Sequence, residues 1–213
     1  MADLDFFFDP VCPWAWITSR WVTEVQELRD YNVSWKFISL KMLNQDKMDY
    51  SSMPAGYKEV HAAGTSGLRV AAKARSAAGN DAVAKVYTAL GTSLHKNEER
   101  EKFVADIEGH IAGLLKTADL PVEWASAVHD ETFDRLISDE TALALERAGK
   151  DVGTPILTFR PGSTTEGSFF GPVISNIPRG DEAVKLWDAI ETIATASGLA
   201  ELKRSLRARP SFD

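Results

Sequence analysis

The chain has 213 residues, 44% hydrophobic and 26% charged, enough for a sizeable core and ordinary for a soluble globular protein. Its formal net charge of -7 argues against a nucleic-acid or anionic-membrane surface, because both need clustered Lys and Arg. The single cysteine excludes an intramolecular disulfide, and no apolar run approaches the ~20 residues of a membrane span. The acidic start MADLDFFFDP lacks the positive region of a secretory signal, so a cytoplasmic protein is expected, in which a lone thiol can act as a nucleophile.

The segment DLDFFFD (3–9) predicts a short strand ended by Asp9-Pro10. Pro13 suits a first helical position, where its missing N–H costs nothing, and Trp14, Ile17, Trp21, Val25 and Leu28 then mark one apolar face to about Arg29. In VSWKFISL, Val33, Trp35 and Phe37 alternate with polar residues at the strand period. Two strands joined by such a helix predict a right-handed βαβ unit with parallel strands. Residues 46–149 are rich in Ala, Lys and Glu and carry helical stripes, Val83-Val86/Tyr87-Leu90-Leu94 and Phe103-Ile107-Ile111-Leu114. Phe133, Leu136/Ile137 and ETALALERAGK extend the helical pattern, and the carboxylates of DETFDRLISDE are expected on a solvated face.

PILTFR (155–160) and EGSFFG (166–171) read as two strands about the turn PGSTT. A last helix is expected from near Asp181, with Val184, Trp187, Ile190 and Ile193 on one side, and the basic tail LKRSLRARP as a solvated helix end. The order β-α-β, helical block, β-β-α is that of an α/β protein with a thioredoxin fold and an inserted all-helical domain. Residues 1–45 and 150–213 would form the thioredoxin-like domain and 46–149 the insertion.

Within that order Cys12 falls where the first strand ends and the first helix begins. The unpaired N–H groups of the first turn point at such a sulfur, and the helix dipole favours thiolate over thiol. That combination lowers a cysteine's pKa from about 8.5 and makes it nucleophilic. Pro13 fixes the helix entry and Trp14 would wall the sulfur. An isolated cysteine is otherwise commonly a buried, inert residue. DVGTP (151–155) precedes the third strand, and Pro155 reads either as a cis-proline facing the cysteine or as a trans proline opening a strand. His61, His95, His110 and His129 show no metal-ligand spacing, and no glycine pattern matches a phosphate-binding or dinucleotide loop, so neither metal nor nucleotide is expected. His61 and His95, in the insert, read either as facing a cleft or, more commonly, as surface or satisfied helix histidines, and Arg179 either as steering an anionic or sugar-bearing thiol or, more commonly, as a solvated loop residue.

Together DPVCPWAWITSRW, DVGTP and FFGPVISNIPRG…LWD resemble the DsbA-like, mycothiol-dependent oxidoreductases, which include mycothiol-dependent nitroreductases, over nearly the whole chain. The resemblance implies a thioredoxin domain with a helical lid, a cytosolic location, often a homodimer, and mycothiol as the thiol co-substrate. It makes Cys12 the attacking cysteine and assigns Thr154 and Pro155 to the cis-proline loop, where the residue before the proline pairs with an extended thiol substrate. It assigns Trp14, Asn44 and Tyr57 to substrate contact, against plain readings of Asn44 as a turn residue and Tyr57 as a half-buried packing aromatic. More distantly the chain is similar to kappa-class glutathione transferases and 2-hydroxychromene-2-carboxylate isomerases, so a thiol transferase or isomerase, or a non-catalytic binding module, are the alternative readings.

Where dithiol members carry a second cysteine, this chain has Ala15. A second cysteine would attack the mixed disulfide on the first and release the substrate. Without it, an external thiol must do so. Ala15 is compatible with a natural monothiol branch and with an engineered Cys→Ala change in a dithiol enzyme.

Overall fold

Five consecutive buried residues, rich in Phe, form the first strand, β1 (Leu4–Phe8). A strand buried on both faces needs no polar alternation, and this one lies inside a four-stranded mixed sheet of order β2-β1-β3-β4. The computed structural model describes residues 2–45, 48–206 and 208–213. The chain forms two compact units, one of Met1–Phe8, Cys12–Lys36 and Ala144–Asp213, the other of Asp9–Val11 and Phe37–Leu143.

In the first unit, helix α1 (Pro13–Leu28) follows β1, and β2 (Val33–Phe37) alternates buried and half-buried residues as its sequence predicts. Strands β3 (Ile156–Phe159) and β4 (Gly167–Phe170) form an antiparallel pair in which Phe159 faces Gly167, and β3 also runs antiparallel to β1. Phe7 pairs with Ile156 across β1 and β3, so the end of β1 lies beside the start of β3. Helix α8 (Gly180–Thr195) packs on α1, β3 and β4. It comes so close that a Cβ on Gly167 would overlap the Ala194 carbonyl. The fully buried Trp187 ring lies 5.0 Å from Trp21, 5.0 Å from Tyr31 and 5.4 Å from Phe159, and Trp21 Nε1 donates to the Ala183 carbonyl. This arrangement is consistent with a thioredoxin-like fold.

The second unit is helical, with no strand of its own beyond Phe37, the last residue of β2, among the described residues. Helix α2 (Leu40–Asn44) is followed by the 22-residue α3 (Tyr57–Ala78), then α4 (Asn80–Gly91), α5 (Arg100–Ala105), α6 (Ile107–Thr117) and α7 (Asp134–Ala148). Helix α7 continues into the first unit at Ala144. Small residues of α3, among them Ala63, Gly64, Gly67, Ala71 and Ala74, are buried and let α2, α4, α5 and α6 approach it.

Several expectations need correction. The stripe from Phe103 to Leu114 is two helices, because Asp106 leaves helical geometry and caps α6 by accepting from Gly109 N; the buried residue there is Leu115 rather than Leu114. On α8 the buried side is Ala183, Trp187 and Ala194, with Val184, Ile190 and Ile193 half-buried. The carboxylates of 130–140 are not all solvated: Asp134 accepts from Arg69 Nε and Nη2, each at 2.7 Å, and the buried Glu140 accepts from Phe37 N and Arg75. The tail beyond α8 carries no helix among its described residues, and Leu202 and Leu206 stand exposed; Arg207 of that run lies outside the described residues. Position 46, the expected start of the insertion, lies outside them as well.

Because Trp187 is the hub of the aromatic cluster under the sheet, Trp187→Ala is expected to cost about 3–5 kcal/mol of stability. Urea unfolding followed by circular dichroism measures it, and a loss under 1 kcal/mol would contradict this role.

Candidate active site

Cys12 has extended backbone angles and is the N-cap of α1, with Pro13 in the first turn. Its Sγ accepts from Ala15 N at 3.4 Å, taking up one of the amides that a helix start leaves without an internal partner. The Cys12 thiol also donates to the Thr154 carbonyl at 3.4 Å. The β1–β3 register explains that meeting: Cys12 lies just past the end of β1 and Thr154 just before the start of β3. The Ala15 N–H favours a thiolate, whereas the Thr154 carbonyl holds a thiol proton. The sulfur therefore meets a donor that suits its charged form and an acceptor that suits its neutral form.

The Thr154–Pro155 peptide is cis, as is Gly171–Pro172. The Pro155 carbonyl accepts from Gly171 N at 2.8 Å, and Thr18 Oγ1 donates to the Pro172 carbonyl at 2.9 Å, which ties both proline loops to the sheet unit. Thr154 Oγ1 is buried and has no hydrogen-bond partner among the described residues. Ala15 is fully buried, and Cys12 retains 5% exposure. Pro13 and Trp14 are half-buried on the first turn of α1. Arg179, 58% exposed, pairs with Glu24 at 2.8 Å, so it is solvated but not free.

Of the expected site residues, Cys12, Pro13, Trp14, Ala15, Thr154 and Pro155 belong to the sheet unit, while Asn44 and Tyr57 belong to the helical unit. Asn44 ends α2, and its Nδ2 donates to the Leu40 carbonyl at 2.9 Å. Tyr57 opens α3, with its ring 4.6 Å from His61. His61 is buried, its Nδ1 2.9 Å from Tyr50 Oη, and burial lowers its pKa. His95 is equally buried, and its Nε2 lies 2.9 Å from the Pro10 carbonyl. A carbonyl only accepts, so His95 carries its proton on Nε2; burial lowers its pKa to about 4 and keeps the ring neutral. Both histidines are thus satisfied helix-unit residues, neither of them at the surface. Among the described residues no group of His, Cys, Asp and Glu could hold a metal ion.

Sequence reasoning passed over Asp9. Its carboxylate is completely buried in the helical unit, with Oδ1 accepting from Val11 N at 3.0 Å and Oδ2 from Leu40 N at 2.8 Å. Burial raises its pKa to about 7, with the two amides working in the opposite direction. Gly64 makes room for it: a Cβ there would lie 2.6 Å from Oδ1. In the sequence Asp9 is one acid in an acidic segment followed by proline, a pattern that reads as a strand end.

The family model for the mycothiol-dependent nitroreductase Rv2466c matches residues 11–204. A curated relative, the uncharacterized protein Rv2286c of Mycobacterium tuberculosis (strain ATCC 25618 / H37Rv), is 27% identical over 215 residues, covering 96% of this chain and 82% of its own.

Asp9 sets a pH dependence of stability. Its folded pKa of about 7 lies above the ordinary 3.8, so the folded state binds the proton more tightly. The resulting stabilisation is full below about pH 4 and is lost as pH rises to about 7. Asp9→Asn is expected to remove that downward slope, read as the difference between the two proteins' urea midpoints from pH 4 to 8; parallel curves would refute the assignment.

Proposed function

The chain belongs to the mycothiol-dependent nitroreductase Rv2466c-like family, a DsbA-like group, and from that premise we propose that it is a thiol-disulfide oxidoreductase in which Cys12 attacks and mycothiol resolves. The observation that carries the reading is the placement of Cys12 Sγ at the N-cap of α1, accepting from Ala15 N. There the first-turn amides and the helix dipole stabilise the thiolate.

The Cys12 thiolate attacks the mycothiol sulfur of a substrate disulfide. A new S–S bond forms to Cys12, and the substrate sulfur leaves as a thiolate with the electron pair of the broken bond. A second mycothiol thiolate then attacks the mixed disulfide, giving mycothiol disulfide and restoring the Cys12 thiolate. The substrate gains two electrons and the two mycothiols lose two. Ala15 takes no part in release, which suits a monothiol cycle; were position 15 a cysteine in the native protein, release would be internal. Trp14, Asn44 and Tyr57 are proposed as thiol and substrate contacts, with Thr154 and Pro155 as the loop against which an extended thiol pairs. The helical unit is read as an insertion, supported by the chain order of the two units. The reading places the protein in the cytoplasm, as a homodimer.

Oxidised mycothiol is expected to add a single mycothiol mass to the intact protein, and to add none after Cys12→Ser. Turnover of a mycothiolated substrate should fall more than about 1,000-fold in Cys12→Ser. Ala15→Cys should shorten the life of the adduct. Substantial turnover by Cys12→Ser would instead indicate a transferase or isomerase that only activates a bound thiol, and binding without turnover a non-catalytic module.

A further inference from the structure

The tripeptide Asp9-Pro10-Val11 leads into Cys12 along the chain, and its polar main-chain groups are held by buried side chains of the helical unit. Asp9 Oδ1 accepts from Val11 N and its Oδ2 from Leu40 N, the first residue of α2. His95 Nε2 donates to the Pro10 carbonyl at 2.9 Å. Two glycines of α3 shape the seat. A Cβ on Gly64 would lie 2.6 Å from Asp9 Oδ1 and 3.0 Å from Val11 Cγ2, and one on Gly67 would lie 3.2 Å from the Pro10 ring.

We infer that Asp9 and His95 are positioning residues for Cys12, acting through the Pro10–Val11 peptide that leads into it. Neither earns its place by stability alone. A buried carboxylate that accepts from two backbone amides, and a buried imidazole held neutral, both cost more than apolar side chains of similar volume. What each does that an apolar residue could not is fix a main-chain group, one at Val11 and one at Pro10. Fixing both ends of the Pro10–Val11 peptide limits the directions from which the chain can enter the N-cap. A sulfur at that cap meets the Ala15 amide only from a narrow range of entry angles.

The inference takes its functional meaning from Cys12 as nucleophile, but its test does not need mycothiol. The pH profile of Cys12 alkylation by iodoacetamide is measured on the full chain, with His95→Leu, His95→Gln and Gly64→Ala beside the original. His95→Leu and Gly64→Ala are expected to slow alkylation at neutral pH by about 10-fold or more, as displacement of a reacting group does, or to move the midpoint of the profile. His95→Gln, whose carboxamide can still donate to the Pro10 carbonyl, should restore the original profile. A His95→Leu profile that overlays the original overturns the inference, and so does a His95→Gln protein as impaired as His95→Leu, which would mark a packing role. Should His95→Leu not fold, Gly64→Ala is read the same way. An altered profile in a protein that forms no mycothiol adduct would leave the positioning intact and remove the oxidoreductase reading.

Discussion

A helix cannot satisfy its own first amides, and the sheet unit is built so that a sulfur does part of that work. Cys12 reaches the position because β1 is the strand from which α1 departs, with Pro13 locking the first turn. Thr154 reaches the same sulfur from the other side because β3 runs antiparallel to β1 and begins where β1 ends. Shifting the register by one residue would bring a different carbonyl to the thiol. The hydrogen-bond surroundings of Cys12 are therefore set by strand pairing as much as by the cysteine itself.

Ala15 supplies an amide to the sulfur while its side chain is sealed from solvent. The two roles separate cleanly: the backbone of position 15 helps to hold charge at Cys12 whichever residue stands there, and only the side chain could have carried a second thiol. In the proposed cycle the loss of that thiol leaves attack unaltered and hands release to a molecule from outside.

Much of the sheet unit was legible in the sequence because its signals are local. Pro13 after Cys12, the alternation of Val33, Trp35 and Phe37, and the pair of strands about PGSTT each declare an element within a few residues. What was not legible depends on partners distant in the chain. Asp9 looks like any acid at a strand end until Leu40 N and the open face of Gly64 are beside it. Glu140 sits in a run that is acidic on its surface, and only Phe37 N and Arg75 mark it as internal. The break at Asp106 was hidden because the apolar stripe carries on across it, while the aspartate uses its side chain to start a new helix. The α8 face was misjudged by favouring large residues, when alanines allow the close approach to β4 at Gly167.

Residues 9–11 group with the helical unit although the chain on either side of them belongs to the sheet unit. This has a consequence for modular exchange. A chimera that transplants only residues 37–143 carries the Gly64 notch and the His95 donor but leaves behind the aspartate and the carbonyl that fill them. The movable piece is discontinuous, and recombination between homologous chains would preserve it only when the short N-terminal tripeptide travels with the long helical segment.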